Sequence, residues 1–199
     1  MNLKTNYLKH TLPFILFCFL LITCKQKTVN QKTVPVDLSY TFKSEKAEAL
    51  SVKAFNLHKE NKYEEAISLY QQAIMVEPDN PKLFFDVSEC YANNKELDKA
   101  LSALNAAIIL DSLNPAFYNN RGLIYWKLYK DENAINDYNK AILLGSKNWI
   151  TYSNLSIAYY GNKNQSEACE SFKIAKNLGL TTKHVATDKH LTILEESCK

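Results

Sequence analysis

Alanine returns every 34 residues along most of this chain. Ala66, Ala100, Ala134 and Ala168 form one ladder, and Ala73, Ala107, Ala141 and Ala175 form a second. A third ladder carries small residues, Ala54, Ser88, Gly122 and Ser156. A fourth is large and mostly aromatic, Leu57, Tyr91, Tyr125 and Tyr159, and a fifth is Tyr70, Leu104, Tyr138 and Phe172. A fixed period of this length marks a stacked array whose units bury their apolar faces only against their neighbours. Small residues let two helices approach closely, and the large ladders fill the space beside those contacts. The sixth ladder, Asn80, Asn114, Asn148 and Thr182, supplies N-caps whose side-chain oxygens accept from free N–H groups. Pro81 and Pro115 follow two of these caps at the one helical position that tolerates proline. Acids open the second helix of each unit at Glu64-Glu65, Asp98, Asp131-Glu132 and Glu167, where the helix dipole favours negative charge. Each unit is therefore predicted to be two antiparallel helices of about 13 residues joined by a short turn.

Composition agrees with an all-α chain. The 199 residues hold 4 Gly and 5 Pro, fewer than the roughly 7% and 5% of an average chain. So few turn-formers exclude a sandwich or barrel. Apolar residues at 46% and aromatic residues at 12% exclude a disordered chain. A net charge of +3 is too even to indicate a nucleic-acid partner.

The set Gly122, Tyr125, Ala134, Tyr138 and Ala141, with Pro78 at a unit boundary, resembles the tetratricopeptide repeat family. The resemblance covers residues 47–182. Ser112, Ser146 and Leu180 stand where the boundary proline would recur, and Lys53 replaces an apolar residue in the first repeat. The resemblance implies a right-handed superhelical solenoid of four repeats, 47–80, 81–114, 115–148 and 149–182. Residues 183–199, with Val185, Leu191, Ile193 and Leu194, are expected to form a capping helix.

In this family the first helix of each repeat lines a concave groove that grips an extended peptide or a partner helix. The resemblance thus implies a non-catalytic protein-binding scaffold. Carried onto this sequence, the groove holds Phe55 and His58, then Lys82, Phe85, Asp86 and Glu89. The third repeat adds Asn119, Asn120, Leu123, Trp126 and Lys127, and the fourth Ile150, Ser153, Asn154, Ile157 and Tyr160. Amides such as Asn120 and Asn154 both donate and accept, which suits a ligand backbone. Phe85, Leu123, Trp126 and Tyr160 are expected to form an apolar strip. Some relatives clamp a C-terminal carboxylate with cations and amides. Those positions here read Ser51, Phe55, Asp86, Ala116 and Asn120, without the cations. The alternative partner is a non-protein envelope polymer, peptidoglycan or a glycan, stacked on Trp126 and the tyrosines.

No catalytic, metal or phosphate-loop motif occurs, and the spacing of His184, Asp188 and His190 puts no two histidines on one helical face. No cofactor, metal, catalytic residue or small-molecule substrate is expected.

The N-terminus is a different kind of sequence. Residues 1–24 contain no acid; Lys4, Lys9 and His10 precede an apolar run from Leu12 to Ile22. A spanning helix needs roughly 20 apolar residues, so this shorter run reads as a secretory leader. Leu21-Ile22-Thr23-Cys24 resembles the lipobox of bacterial lipoproteins, with Thr23 in place of the usual small residue. The resemblance implies removal of residues 1–23 and lipidation of Cys24, whose acyl chains would hold a soluble domain on a membrane. Lys25-Gln26-Lys27 bring no acidic export signal, so the expected site is the outer membrane, facing the periplasm. Residues 24–46 are expected to be anchor and flexible tether, with Val34-Pro35-Val36 breaking any helix. Some bacterial repeat lipoproteins carry a similar Ala-Cys at the last repeat helix and a Cys near the C-terminus. The likeness implies a disulfide between Cys169 and Cys198, and leaves Cys90 as a small buried residue.

Overall fold

The structure is a computed structural model that describes residues 40–199; the leader, Cys24 and the tether up to residue 39 lie outside the described residues. Ten helices follow one another among the described residues, without a strand. They pair as α1 (Glu45–Lys59) with α2 (Tyr63–Val76), α3 (Pro81–Asn93) with α4 (Leu97–Leu110), α5 (Pro115–Lys127) with α6 (Asp131–Leu143), and α7 (Trp149–Gly161) with α8 (Gln165–Asn177). Two short helices, α9 (Thr182–Thr187) and α10 (Lys189–Ser197), close the stack.

The caps lie where the Asn ladder puts them. Asn80 accepts from Lys82 N at 3.1 Å, Asn114 from Ala116 N at 2.9 Å and Asn148 from Thr151 N at 2.8 Å. The fourth cap is Thr181 rather than Thr182, because its hydroxyl already accepts from His184 N. Within each pair the turn is a left-handed residue at the same place: Asn61, Lys95, Tyr129 and Lys163, with φ of 60°, 63°, 57° and 62°. The next N–H donates back to the fourth ladder, from Lys62 to Leu57, Glu96 to Tyr91, Lys130 to Tyr125 and Asn164 to Tyr159. This is the Schellman closure, which normally uses glycine. Here larger residues occupy it, which is one reason the chain is poor in glycine.

The ladders of small residues are buried: Ala54, Ser88, Gly122 and Ser156 all lie at pair contacts. Gly122 shows why size matters there. A Cβ on it would lie 2.9 Å from Cε1 of the fully buried Tyr138, so any side chain would displace that ring. Four apolar clusters run along the stack, each made by neighbouring repeats or by the last repeat and the cap. Cys90 is a free, fully buried thiol in the first of them, and burial pushes its pKa up to about 12.

Two expectations are corrected. The single capping helix over 183–199 is broken at Asp188, whose carboxylate accepts from His190 N and Leu191 N and starts α10 afresh. Residues 40–44, expected to be free tether, pack on the body as a strap. Phe42 joins the first cluster, and the Tyr40 hydroxyl bonds to the Asp111 carboxylate and accepts from Asn114 Nδ2 at 3.0 Å. The Tyr40 ring stacks on Phe117 at 6.2 Å.

Candidate protein-binding groove

Helices α1, α3, α5 and α7 carry the expected groove residues, whose surroundings divide them into three groups.

The middle of the face is polar. Lys82 pairs with Asp86 one helical turn later. Burial raises the Asp86 carboxyl, against the pull of Lys82. Glu89, one further turn along, is raised by burial and then by the Asp86 charge. Across the gap, Asn120 Nδ2 donates to Glu89 Oε1 at 3.3 Å, and Asn119 Nδ2 donates to Asn120 Oδ1 at 3.4 Å. Asn119 Oδ1 is buried and has no hydrogen-bond partner among the described residues. His58 meets Asn93 at 2.8 Å, tying α1 to α3. A cavity of about 230 Å³ opens between α3 and α5, lined by Glu89, Asn93, Asn120, Leu123 and Lys127 among others. The cavity thus presents the half-buried Glu89 carboxylate and the Asn120 amide beside the Lys127 stem.

The expected apolar strip is partly occupied. Phe85 lies 5.3 Å from Phe117, the ring on which Tyr40 stacks, so its aromatic partners are internal. Trp126 packs into two clusters and meets the His190 ring at right angles, with centroids 5.2 Å apart. Leu123 lines the polar cavity, and Tyr160 a second cavity of about 440 Å³ with Trp126, Tyr129, Asp131 and His190. Phe55 stands exposed with Lys59 Nζ 5.6 Å from its ring centroid, and Lys127 is exposed as well.

The fourth repeat departs most from expectation. Ser153 and Ile157, expected in the groove, are buried. Ile157 shares a cluster with Leu191 and Leu194 of α10, and Ser153 donates to the Ile150 carbonyl of its own helix. The cap thus closes the C-terminal end of the face and leaves Asn154 partly open and Ile150 exposed. His184 stacks on Trp149 at 4.4 Å. A disulfide joins Cys169 to Cys198, with Cα atoms 5.3 Å apart.

Sequence reasoning missed the ion pair of Arg121 with Asp137, two parallel bonds of 2.7 Å each, with Arg121 also donating to Asn105 at 2.8 Å. It missed the strap as well. The aromatic Tyr40 and Phe42 in an otherwise polar stretch were the available signal.

Residues 57–119 match the family described as Tetratricopeptide repeat, and residues 115–147 match a second family of the same description. No curated protein matches the sequence. Solved structures do. A crystal structure of MamA has a TM-score of 0.62 at 22% identity, over 66% of this chain and 77% of its own. MamA from Desulfovibrio magneticus RS-1 gives 0.67 at 15% identity, over 78% and 88%. The first TPR of Spaghetti (RPAP3), bound to the HSP90 peptide SRMEEVD, gives 0.58 at 29% identity, over 60% and 95%. Residues 57–147 thus match tetratricopeptide repeats, and the helix pairs stack as an all-helical solenoid, an architecture whose proteins mediate protein–protein interaction.

Proposed function

We propose that the chain is a non-catalytic scaffold of a bacterial cell envelope, anchored by lipid on Cys24 and facing the periplasm from the outer membrane. Its groove grips an extended segment of a protein partner. One observation carries the groove reading: the run from Asn119 through Asn120 to Glu89 ends on one side in a buried, unpartnered oxygen and on the other in a half-buried carboxylate. A half-buried carboxylate that accepts from one neutral amide is costly, and ligand donors entering the cavity it lines would relieve that cost. An extended peptide supplies backbone N–H groups at regular intervals, and a Lys or Arg side chain supplies a counter-charge for Glu89, since Lys82 already pairs with Asp86. The Spaghetti repeat holds an acidic peptide. Here two carboxylates occupy the centre of the face, which favours a basic partner instead.

A photo-crosslinking residue at Leu123 in the full chain tests this in cells. A discrete protein adduct is expected there and not at the exposed Asn136 of α6, and Glu89→Gln with Asn120→Ala should remove it. Crosslinking at Asn136 alone would contradict the groove reading. Separately, Cys24→Ser should release the protein from membranes; persistent membrane attachment would sink the anchor.

The second cavity supports a second reading. Trp126, Tyr129 and Tyr160 line it beside Asp131, whose carboxyl is raised by burial. Aromatic faces beside a carboxylate suit a glycan. Binding of purified peptidoglycan fragments that is lost in Tyr160→Ala would favour that reading over the peptide.

A further inference from the structure

Met75, Ile109 and Leu143 are 34 residues apart, so they hold the same place at the C-terminal ends of α2, α4 and α6. All three stand in solvent, with exposures of 76%, 83% and 78%. Val76, Leu110 and Leu178 at the neighbouring position are exposed too, and so is Leu113 in the turn after α4. Single exposed apolar residues need no explanation. A row repeated in register along the stack is an apolar feature of one edge, and exposed apolar surface of this kind marks a contact.

The strap of residues 40–44 runs along this same edge. It also engages the acids of the turns there. The Glu77 carboxylate accepts from Lys43 N and Ser44 N at 3.1 and 3.2 Å, and from Asn80 Nδ2 at 2.8 Å. Asp79 pairs with the Lys43 ammonium, and Asp111 with the Tyr40 hydroxyl. In the next turn along, the corresponding stretch carries Ser146 and the exposed Lys147 rather than an acid. With its turn acids engaged, the edge presents the apolar row. The chain joins the body at Tyr40, and Cys24 lies 16 residues upstream, a reach of at most about 55 Å if fully extended.

We propose that this edge lies on a lipid bilayer, with Met75, Ile109, Leu143 and Leu113 entering the interfacial layer. The proposal rests on the reading of Cys24 as the lipid anchor. The strap ties the chain that leads to Cys24 to the body at this end of the repeats. An apolar contact of the body with the bilayer would add to the hold of the acyl chains. The contact would also orient the stack, since a row along one edge allows one way of lying on a surface.

The test uses the full chain, processed in bacterial cells and reconstituted into vesicles of phosphatidylethanolamine and phosphatidylglycerol. Cys90 is buried and Cys169 is bonded to Cys198, so with Cys24 lipidated an introduced cysteine is the reactive thiol. Ile109→Cys, Leu143→Cys and the control Lys163→Cys, in the turn inside the last pair at the opposite end of the helices, each carry an environment-sensitive fluorophore. Vesicles containing doxyl-labelled lipid should quench the probes at 109 and 143 strongly, and leave the probe at 163 unchanged. Protein that floats with the vesicles but shows no quenching at 109 and 143 overturns the edge contact and leaves the anchor standing. Protein that does not float overturns the anchor, and the edge contact with it. Shielding at 109 and 143 in native envelope fragments but not in protein-free vesicles would mean that the row meets a protein, and also overturns the proposal.

Discussion

Reducing the bond between Cys169 and Cys198 should open the cap and leave the repeats folded. The bond closes a loop with a sequence separation of 29. Constraining a loop of that length removes about 3.5 kcal/mol of chain entropy from the opened state. The cap otherwise rests on the buried Val185, Leu191 and Leu194, and on an ion pair of Lys176 with Glu195 that is too exposed to add much. Each unit of a solenoid touches only its neighbours, so opening should stay local. At about 1.4 kcal/mol per factor of ten, the cap-opening equilibrium should rise on the order of several hundred-fold. Hydrogen exchange followed by mass spectrometry reads this directly, comparing the oxidised protein with the same protein under a phosphine reductant. Amides of α10 should exchange faster by about that factor, up to the limit of a fully open cap, while those of α3 keep their rates. Equal acceleration in every helix would mean that the stack opens as one unit. No acceleration in α10 would mean that apolar packing alone holds the cap. Either result would refute the reasoning.

Removing Arg121 strands the buried carboxylate of Asp137, so Arg121→Ala should cost about 3 kcal/mol in urea unfolding. Glu89→Gln should stabilise the protein at neutral pH. Burial raises the folded pKa of Glu89 above its unfolded value, so the native state takes up the proton first and the wild type recovers stability as pH falls. The advantage of the variant should therefore shrink in acid; a constant or growing advantage would contradict the burial argument. Lys95 and Lys163 hold left-handed backbone. Glycine there relieves about 1–2 kcal/mol per site and adds about 0.5–1 kcal/mol of unfolded-chain entropy, so Lys95→Gly with Lys163→Gly should raise the melting temperature modestly.

The repeats were legible because their determinants are local. An Asn cap, a proline after it and a small residue at a fixed spacing act within a turn or two, and the period multiplies each signal. What escaped was decided at a distance. The Tyr40 hydroxyl finds its partners at Asp111 and Asn114, more than 70 residues along the chain, and no local pattern announces such a contact. The break at Asp188 lay inside an amphipathic stretch that reads as a continuous helix, and only the cap bonds reveal a new start there. Groove residues could be placed on a face by counting, but counting does not say what covers them. Ile157 and Trp126 share their position in the repeat with open neighbours and differ because α10 follows. The row of Met75, Ile109 and Leu143 was as periodic as the alanines, yet period alone does not separate a buried ladder from an exposed one.

The costly features of the body are gathered in one region. Asp86 and Glu89 are desolvated carboxylates, and Asn119 Oδ1 is a buried acceptor left unpaired. All three lie in the second and third repeats, whose helices pack against neighbours on both sides. The two ends instead carry additional ties, the strap at the first repeat and the disulfide with a capping box at the cap. In a stack whose stability is shared between adjacent units, an end has one neighbour and the least margin for unsatisfied polar groups. Middle repeats have two, and can hold a desolvated polar surface without unfolding. The desolvated carboxylates and amides proposed as the binding surface therefore sit where a stack tolerates them, between two tied ends.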